Sequence, residues 1–302
     1  MNGNLGRDRL WHEHIWSEID KAVREEAGRI RVAQKVFPST VVNSMLPVVA
    51  TRAVAFGAAE PPPPEAPIPD QFQPFFEISS QFILTQAQVD SEENIHLAPL
   101  RARLAASAIA YAEDTILFAG PGAIAGLARV RVTNQPPAPP ASPLPPQFAS
   151  IPPGFVAEAI QYAAVRVPEA VAGGVLGNIL AGVASGIAEL NRRTQPGPYA
   201  LFLPPVRYGQ MFQPPTGQLL APGDQINHVV TGGCYMVNSL ARLPDMGILV
   251  SLGGEPAKII LGKEVMTAFT NTDWNGNYHF RVFEPIQLVV QDGRAFLCLT
   301  FG

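Results

Sequence analysis

From Val132 to Ala157 the chain carries no Asp, Glu, Lys or Arg, and from Tyr208 to Ala241 its one charged residue is Asp224. The first 35 residues, by contrast, hold 13 charged side chains. The charged share of the whole chain is 15%, against about 25% in an ordinary soluble domain. Stretches so poor in charge cannot cover the surface of a free monomer. They must enter a membrane or lie against other protein chains.

The segment Ala170–Ala188 tests the membrane branch. It is 19 residues long and uncharged, close to the roughly 20 apolar residues that a span requires. Five of the 19 are glycine, and seven are Val, Leu or Ile. Val175, Leu176, Ile179, Leu180, Val183, Ile187 and Leu190 form one stripe at helical spacing, while Gly174, Gly177, Asn178, Ala181, Ser185 and Gly186 fill the other face. An apolar face backed by small residues suits a helix packed between protein surfaces. No membrane partner is therefore expected, and the N-terminal MNGNLGRDRLWHEH lacks the apolar core of a secretory signal. A net charge of −4 gives no broad basic face, so nucleic acid is not an expected partner either. Cys234 and Cys298 stand far apart without a CxxC pair, which suits a reducing cytosol.

Along the chain the patterns alternate between helix and strand. Glu13–Gln34 predicts an amphipathic helix, with Ile15, Ile19, Val23, Ala27 and Ile30 on one face. Val36–Pro74 holds short β-leaning runs (Thr40–Val42, Pro47–Val54) and then PPPPEAPIPD from Pro61, an extended arm that lacks backbone donors. Phe75–Val89 alternates as a strand. A strong helix follows from Pro99 to about Phe118, with Leu100, Leu104, Ser107/Ala108, Tyr111 and Thr115 along one face and Ala102, Ala105, Ala106, Ala110 and Ala112 allowing close approach by other elements, and Gly120-Pro121-Gly122 ends it. Gln135–Pro153 contains nine prolines and reads as a loop. Phe155–Val167 and Glu169–Arg193 read as two helices split at Pro168, and Tyr199–Leu203 as a buried strand. The last third predicts strands at Cys234–Val237, Gly247–Leu252, Lys258–Leu261, Val265–Phe269, Asn277–Phe283, Ile286–Val290 and Ala295–Phe301, with a hairpin turn at Gln291–Arg294. The fold class is α+β.

Little in the sequence points to catalysis. There is no GxSxG and no GxxxxGK[ST]. Gly120-Pro-Gly122-Ala-Ile-Ala-Gly126 follows a helix rather than a strand and has the wrong spacing for a dinucleotide loop. His12-Glu13-His14 lacks the i, i+4 spacing of a zincin helix, and the adjacent Glu113 and Asp114 point in different directions on their helix. The expectation is no enzyme, no metal and no cofactor.

Thr231-Gly-Gly-Cys-Tyr-Met-Val237, Lys258-Ile-Ile-Leu-Gly-Lys-Glu-Val265 and Phe280-Arg-Val-Phe-Glu-Pro285-Ile-Gln-Leu-Val-Val290 resemble the C-terminal half of encapsulin shell proteins, the linocin-like family. Trp16-Ser-Glu-Ile-Asp20-Lys-Ala22 resembles that family's N-terminal helix. Ala112-Glu-Asp114-Thr-Ile116-Leu-Phe118 resembles the end of its long helix, and Gly197-Pro-Tyr-Ala-Leu201 the start of its apical sheet. The resemblance runs in order over nearly the whole chain.

What the resemblance implies is a tailed-phage capsid fold. It assigns residues 1–35 to a lumen-facing helix, 36–74 to an extended arm, 75–134 and 255–302 to a peripheral domain, and 154–254 to an apical domain. Residues 135–153 are a proline-rich insertion. Subunits would close into an icosahedral homo-oligomer of about 60 copies or a multiple, in the bacterial cytoplasm. The shell would enclose a cargo enzyme that carries a C-terminal docking peptide, a dye-decolorising peroxidase or a ferritin-like protein. The implied cargo groove comprises Ile30, Gln34, Val36, Pro38, Val265 and Thr267. The implied five-fold pore loop comprises Gln213, Pro214, Pro215, Thr216, Gly217 and Gln218, uncharged and so weakly selective. Some relatives have Arg and Asp where this chain has Gln34 and Pro38, which makes this groove less polar. Some bind flavin beside a Trp and an Arg where this chain has Ala87 and Ser79, so no flavin is expected. A viral major capsid protein of the same fold, a membrane-active bacteriocin-like protein and a protease remain as alternatives.

Overall fold

A computed structural model of the chain describes residues 5–42, 48–51, 71–120, 123, 127, 129–133, 154–162, 164–167, 176–214 and 219–301. The proline run after 60, the insertion 135–153 and pore-loop residues 215–218 lie outside the described residues, and so does the first part of the 170–188 segment. Among the described residues no helix is long and apolar enough to cross a membrane.

The chain begins with a turn at Arg7–Arg9, then α1 (Glu13–Ile30) and the short α2 (Ala33–Val36). The predicted stripe is the buried one, with Ile15, Trp16, Ile19, Ala22, Val23 and Ala27 turned inward. The single predicted helix is broken at Arg31, whose backbone leaves helical geometry before Val32 returns to it. The strand β1 (Ser39–Val41) follows, then β2 (Val48–Thr51) and β3 (Gln71–Pro74), which pair with each other.

Next come β4 (Phe76–Thr85), α3 (Gln86–Asp90), α4 (Glu92–Ile95) and α5 (Leu97–Ala119). The strand passes into α3 through a capping box of Thr85 and Gln88. Glu92 then binds the Ala98 amide at 2.8 Å and steadies the start of α5. The face of α5 that packs inward is not the leucine face. Ala98, Ala102, Ala105, Ala106, Ile109 and Ala110 are buried, while Leu100 and Leu104 are each 54% exposed. Methyl side chains let α1 and β4 come close to the helix axis; longer side chains on that face would hold them apart.

The rest of the chain supplies β5 (Val130–Thr133), α6 (Phe155–Tyr162), β6 (Ala164–Val167), α7 (Leu176–Arg192), β7 (Tyr199–Leu203), α8 (Pro205–Gln210), α9 (Pro222–Val229) and β8 (Cys234–Met236). It ends with β9 (Met246–Ser251), β10 (Ala257–Leu261), β11 (Met266–Thr272), β12 (Asn277–Val290) and β13 (Phe296–Phe301). Ala164–Val167, expected as the end of a helix, is a strand parallel to β13. Its two valines flank Arg166 in alternation, and a neighbouring edge to pair with outweighs helix propensity.

Two sheets result. The first runs β1-β10-β12-β4-β5 with β11 beside β12; the second runs β6-β13-β9-β7-β8. β12 is continuous through Pro285, where the sequence predicted a break. Its partner changes there, since Phe283 pairs with Met266 of β11 and Ile286 with Leu261 of β10. A residue without an N–H is tolerated at such a changeover. Asp292-Gly293 is not a hairpin turn. It carries the chain from β12 in the first sheet to β13 in the second, with the Asp292 carboxylate binding the Arg294 amide at 2.9 Å. β13 lies within the expected peripheral segment 255–302 and pairs in the second sheet, with β9 and β6.

An aromatic knot joins the two halves. Phe37 stands beside Phe155 (4.7 Å between centroids), Phe202 and Phe296, and Phe118 closes on Phe202 at 5.0 Å. A second apolar cluster lies beneath α7, where Ile179, Val183 and Leu190 meet Leu201, Leu249 and Leu299.

Candidate functional site

The charge-rich α1 packs between α5 and β11, and three sets of contacts fix it. At its start, Trp11 lies flat on Phe280 and tilts against Trp16, each at 5.1 Å, and the Trp11 indole donates to the Val89 carbonyl at 3.1 Å. Along its middle, Arg7 pairs with Asp20 at 2.8 Å, donates to the Thr267 carbonyl and sits over the Trp16 ring. Asp20 also accepts the Thr267 amide at 3.2 Å. The N-terminal segment is thereby drawn along β11, and the Phe269 amide donates to the Leu5 carbonyl at 3.0 Å.

The third set holds the break after α1. Arg31 is 6% exposed and pairs with Glu113 of α5 (2.6 Å) and Glu284 of β12. The Arg31 Nε contact to Glu113 is short but poorly aligned, so charge rather than hydrogen-bond direction sustains it. Gln34 donates to Glu113 at 2.6 Å, and the Val32 and Ala33 amides donate to Asp114 at 2.9 and 3.1 Å. Glu113 and Asp114 point in different directions, as adjacent helical residues must, yet both reach the same joint. Three carboxyl groups therefore share one guanidinium inside the protein. Burial, then the neighbouring Glu113, push Asp114 up to about 7, against the pull of the Ala33 and Val32 amides. Burial and Glu113 raise Glu284 well above the usual carboxylate range. Burial pulls Arg31 down, but Glu113 and Glu284 outweigh it and hold the guanidinium above its ordinary value.

The six implied groove residues fall into two groups. Ile30 and Val36 are half-buried against the core, Gln34 is tied to Glu113, and Pro38 is exposed, its carbonyl accepting from the Ile259 amide. These four flank the joint. Val265 is 2% exposed and Thr267 is 0% exposed. Both belong to the packing beneath the N-terminal segment, and the Thr267 hydroxyl has no hydrogen-bond partner among the described residues. On the other side of α1, Glu18, Lys21 and Glu25 face Pro99, Leu100 and Arg103 of α5 across a cleft of about 350 Å3.

Of the implied pore loop, Gln213 and Pro214 are exposed, beside the exposed Phe212, Leu219 and Leu220. Ser79 is buried on β4 and donates to the Arg131 carbonyl, and Ala87 lies on α3. Among the described residues no group of three His, Cys, Asp or Glu side chains is arranged to hold a metal. The rings of His12 and His14 are 6.1 Å apart. Burial pushes the Cys298 thiol up to about 12 and Cys234 to about 11, which leaves both unreactive as thiolates near neutral pH.

Sequence reasoning missed the buried Arg31 cluster. Glu113 and Asp114 were visible as a pair, but their partner Glu284 stands 253 positions beyond Arg31.

The fold recurs in solved structures. The virus-like particle of Pyrococcus furiosus matches with a TM-score of 0.64 at 13% identity, over 94% of this chain and 98% of its own. The structure described as Mycobacterium phage Bobi matches at 0.56 and 15% identity, over 90% of each chain. The capsid of Myoviridae phage XM1 matches at 0.54 and 11% identity, over 90% of this chain and 92% of its own. No curated protein sequence matches the chain. The architecture is the tailed-phage capsid fold, that of proteins that build shells. The sequence is more specific. The model of the Linocin_M18 family, encapsulating protein for peroxidase, matches residues 8–146 and 158–287, and the chain belongs to that family of shell proteins.

Proposed function

We propose that this chain closes into a hollow icosahedral compartment in the bacterial cytoplasm and encloses an enzyme without contributing catalysis of its own. The observation that carries this reading is the family match, which spans both halves of the chain. A phage capsid could share the fold. The family match, together with an α1 anchored at both ends as part of the folded subunit, favours a compartment that receives cargo. Between the two cargo classes, the family description favours a peroxidase over a ferritin-like protein.

The cargo would dock by a C-terminal peptide along the accessible side of the α1–α2 joint, at Ile30, Gln34, Val36 and Pro38. Val265 and Thr267 would support that surface from beneath. One half-buried apolar strip offers modest affinity, and many sites on one inner wall offset this by avidity. The uncharged loop from Gln213 to Gln218 would rim the five-fold opening.

The test is co-expression with a dye-decolorising peroxidase that ends in an apolar tail, with and without that tail. Peroxidase activity should co-migrate with the particles only when the tail is present. Equal retention of both forms, or of neither, contradicts the docking reading.

A further inference from the structure

The joint after α1 holds more carboxyl groups than its one cation can neutralise. Glu113 and Glu284 are both 0% exposed, and Arg31 pairs with each. Two buried carboxyls thus rest on one buried guanidinium, one negative charge more than it can balance. Glu113 Oε2 and Glu284 Oε1 have no hydrogen-bond partner among the described residues, and a proton on one of the two groups relieves that deficit. The charged groups that face Glu284 are Glu113 of α5 and Arg31 of the joint; Asp114 of α5 faces Arg31 and Glu113. Fully ionised, the cluster would hold three negative charges and one positive charge out of water, an arrangement proteins avoid by keeping a proton.

We propose that Glu284 carries a proton at neutral pH and that this proton latches the joint between α1 and α2. While it is held, Arg31 binds both glutamates, Gln34 binds Glu113, and Asp114 caps the Val32 and Ala33 amides. When solvent takes the proton, the O–H bond of Glu284 breaks and the excess negative charge drives the joint open, where water can reach the carboxylates. The raised position of Glu284 agrees with this direction. In the open joint Glu284 has an ordinary carboxylate pKa, so opening releases its proton, and that proton by itself makes each pH unit favour opening about tenfold until the closed form itself ionises. The latch stands on the joint alone and does not depend on what the shell carries.

Two measurements on the full-length assembled protein test it. The first is infrared spectroscopy at pH 7 on Asp114→Asn, which removes the other raised carboxyl of the joint. Its protonated-carboxyl carbonyl band should lose intensity in Asp114→Asn/Glu284→Gln; equal bands in the two variants overturn the proposal. The second is amide hydrogen exchange at Val32 and Ala33 between pH 5 and 7, corrected for the intrinsic pH dependence of exchange. Wild-type protection should fall about one factor of ten per pH unit more steeply than in Glu284→Gln. Equal slopes overturn it as well.

Discussion

Trp11 stacks on Phe280 with the ring planes 4° apart and the centroids 5.1 Å apart, joining the residue just before the first helix to the longest strand. Phe280 in turn stacks on Phe82 at 5.0 Å, so the start of α1 is keyed to two strands of the first sheet. Replacing Trp11 with Ala removes this stack and the hydrogen bond to Val89. We expect a loss of about 3 kcal/mol, the lower range for truncating a large aromatic. Hydrogen exchange should show the loss concentrated in α1.

The acidic cluster predicts a pH dependence of subunit stability. Asp114 titrates near 7 in the folded chain and near 3.9 when unfolded. The folded state therefore binds more protons between these values. The stabilisation is complete below about pH 4, and it declines by up to about 1.4 kcal/mol per pH unit as the pH rises toward 7. Asp114→Asn should remove this share of the slope and leave that of Glu284, while keeping one carbonyl oxygen for the Val32 and Ala33 amides. Denaturant titrations of both proteins between pH 4 and 8 check it; parallel curves would contradict it.

How much of this was legible beforehand follows physical lines. The α1 stripe was, because Ile15, Ile19 and Val23 repeat at the helical period and one face of the helix meets water. The α5 packing was legible in its alanines: Ala102, Ala105, Ala106, Ala110 and Ala112, small enough for close approach, are all buried, whereas Leu100 and Leu104 mark an exposed face whose apolar spacing alone points the wrong way. The strand at Ala164–Val167 depends on an edge offered by β13 more than a hundred residues later. The candidate groove came from the family resemblance alone; of its residues, Ile30, Gln34, Val36 and Pro38 lie along the α1–α2 joint. Val265 is buried in the main core and Thr267 lies where Arg7 and Leu5 bind along β11, contacts with no local sign.

Two glycines should respond oppositely to Ala. A Cβ at Gly182 of α7 would come within 2.4 Å of Val167 on β6, whereas one at Gly28 of α1 meets nothing within 4 Å. Gly182→Ala should destabilise by about 1–3 kcal/mol through overpacking. Gly28→Ala should stabilise by roughly 0.5–1 kcal/mol, through helix propensity and a less flexible unfolded chain. Thermal melts of the two variants check both signs.

The docking surface predicts a separation between loading and folding. Ile30→Asp places a charge on a half-buried position and should lower cargo retention at least tenfold while particles still form. Val265→Asp should not separate the two, because it puts an unpaired charge at a site 2% exposed and should reduce soluble protein. Quantifying co-purified cargo per particle distinguishes them. Full loading in Ile30→Asp would remove the joint from the docking surface.

The central claim is that the charge-poor surfaces of this chain are contacts between its own copies. Expressing the chain alone and passing it through size-exclusion chromatography, with negative-stain microscopy of the peak, tests this most directly. The account predicts uniform hollow particles of about 60 subunits or a multiple that elute near the void volume and need no detergent. A stable monomer or small oligomer, soluble and folded at the same concentration, would contradict it.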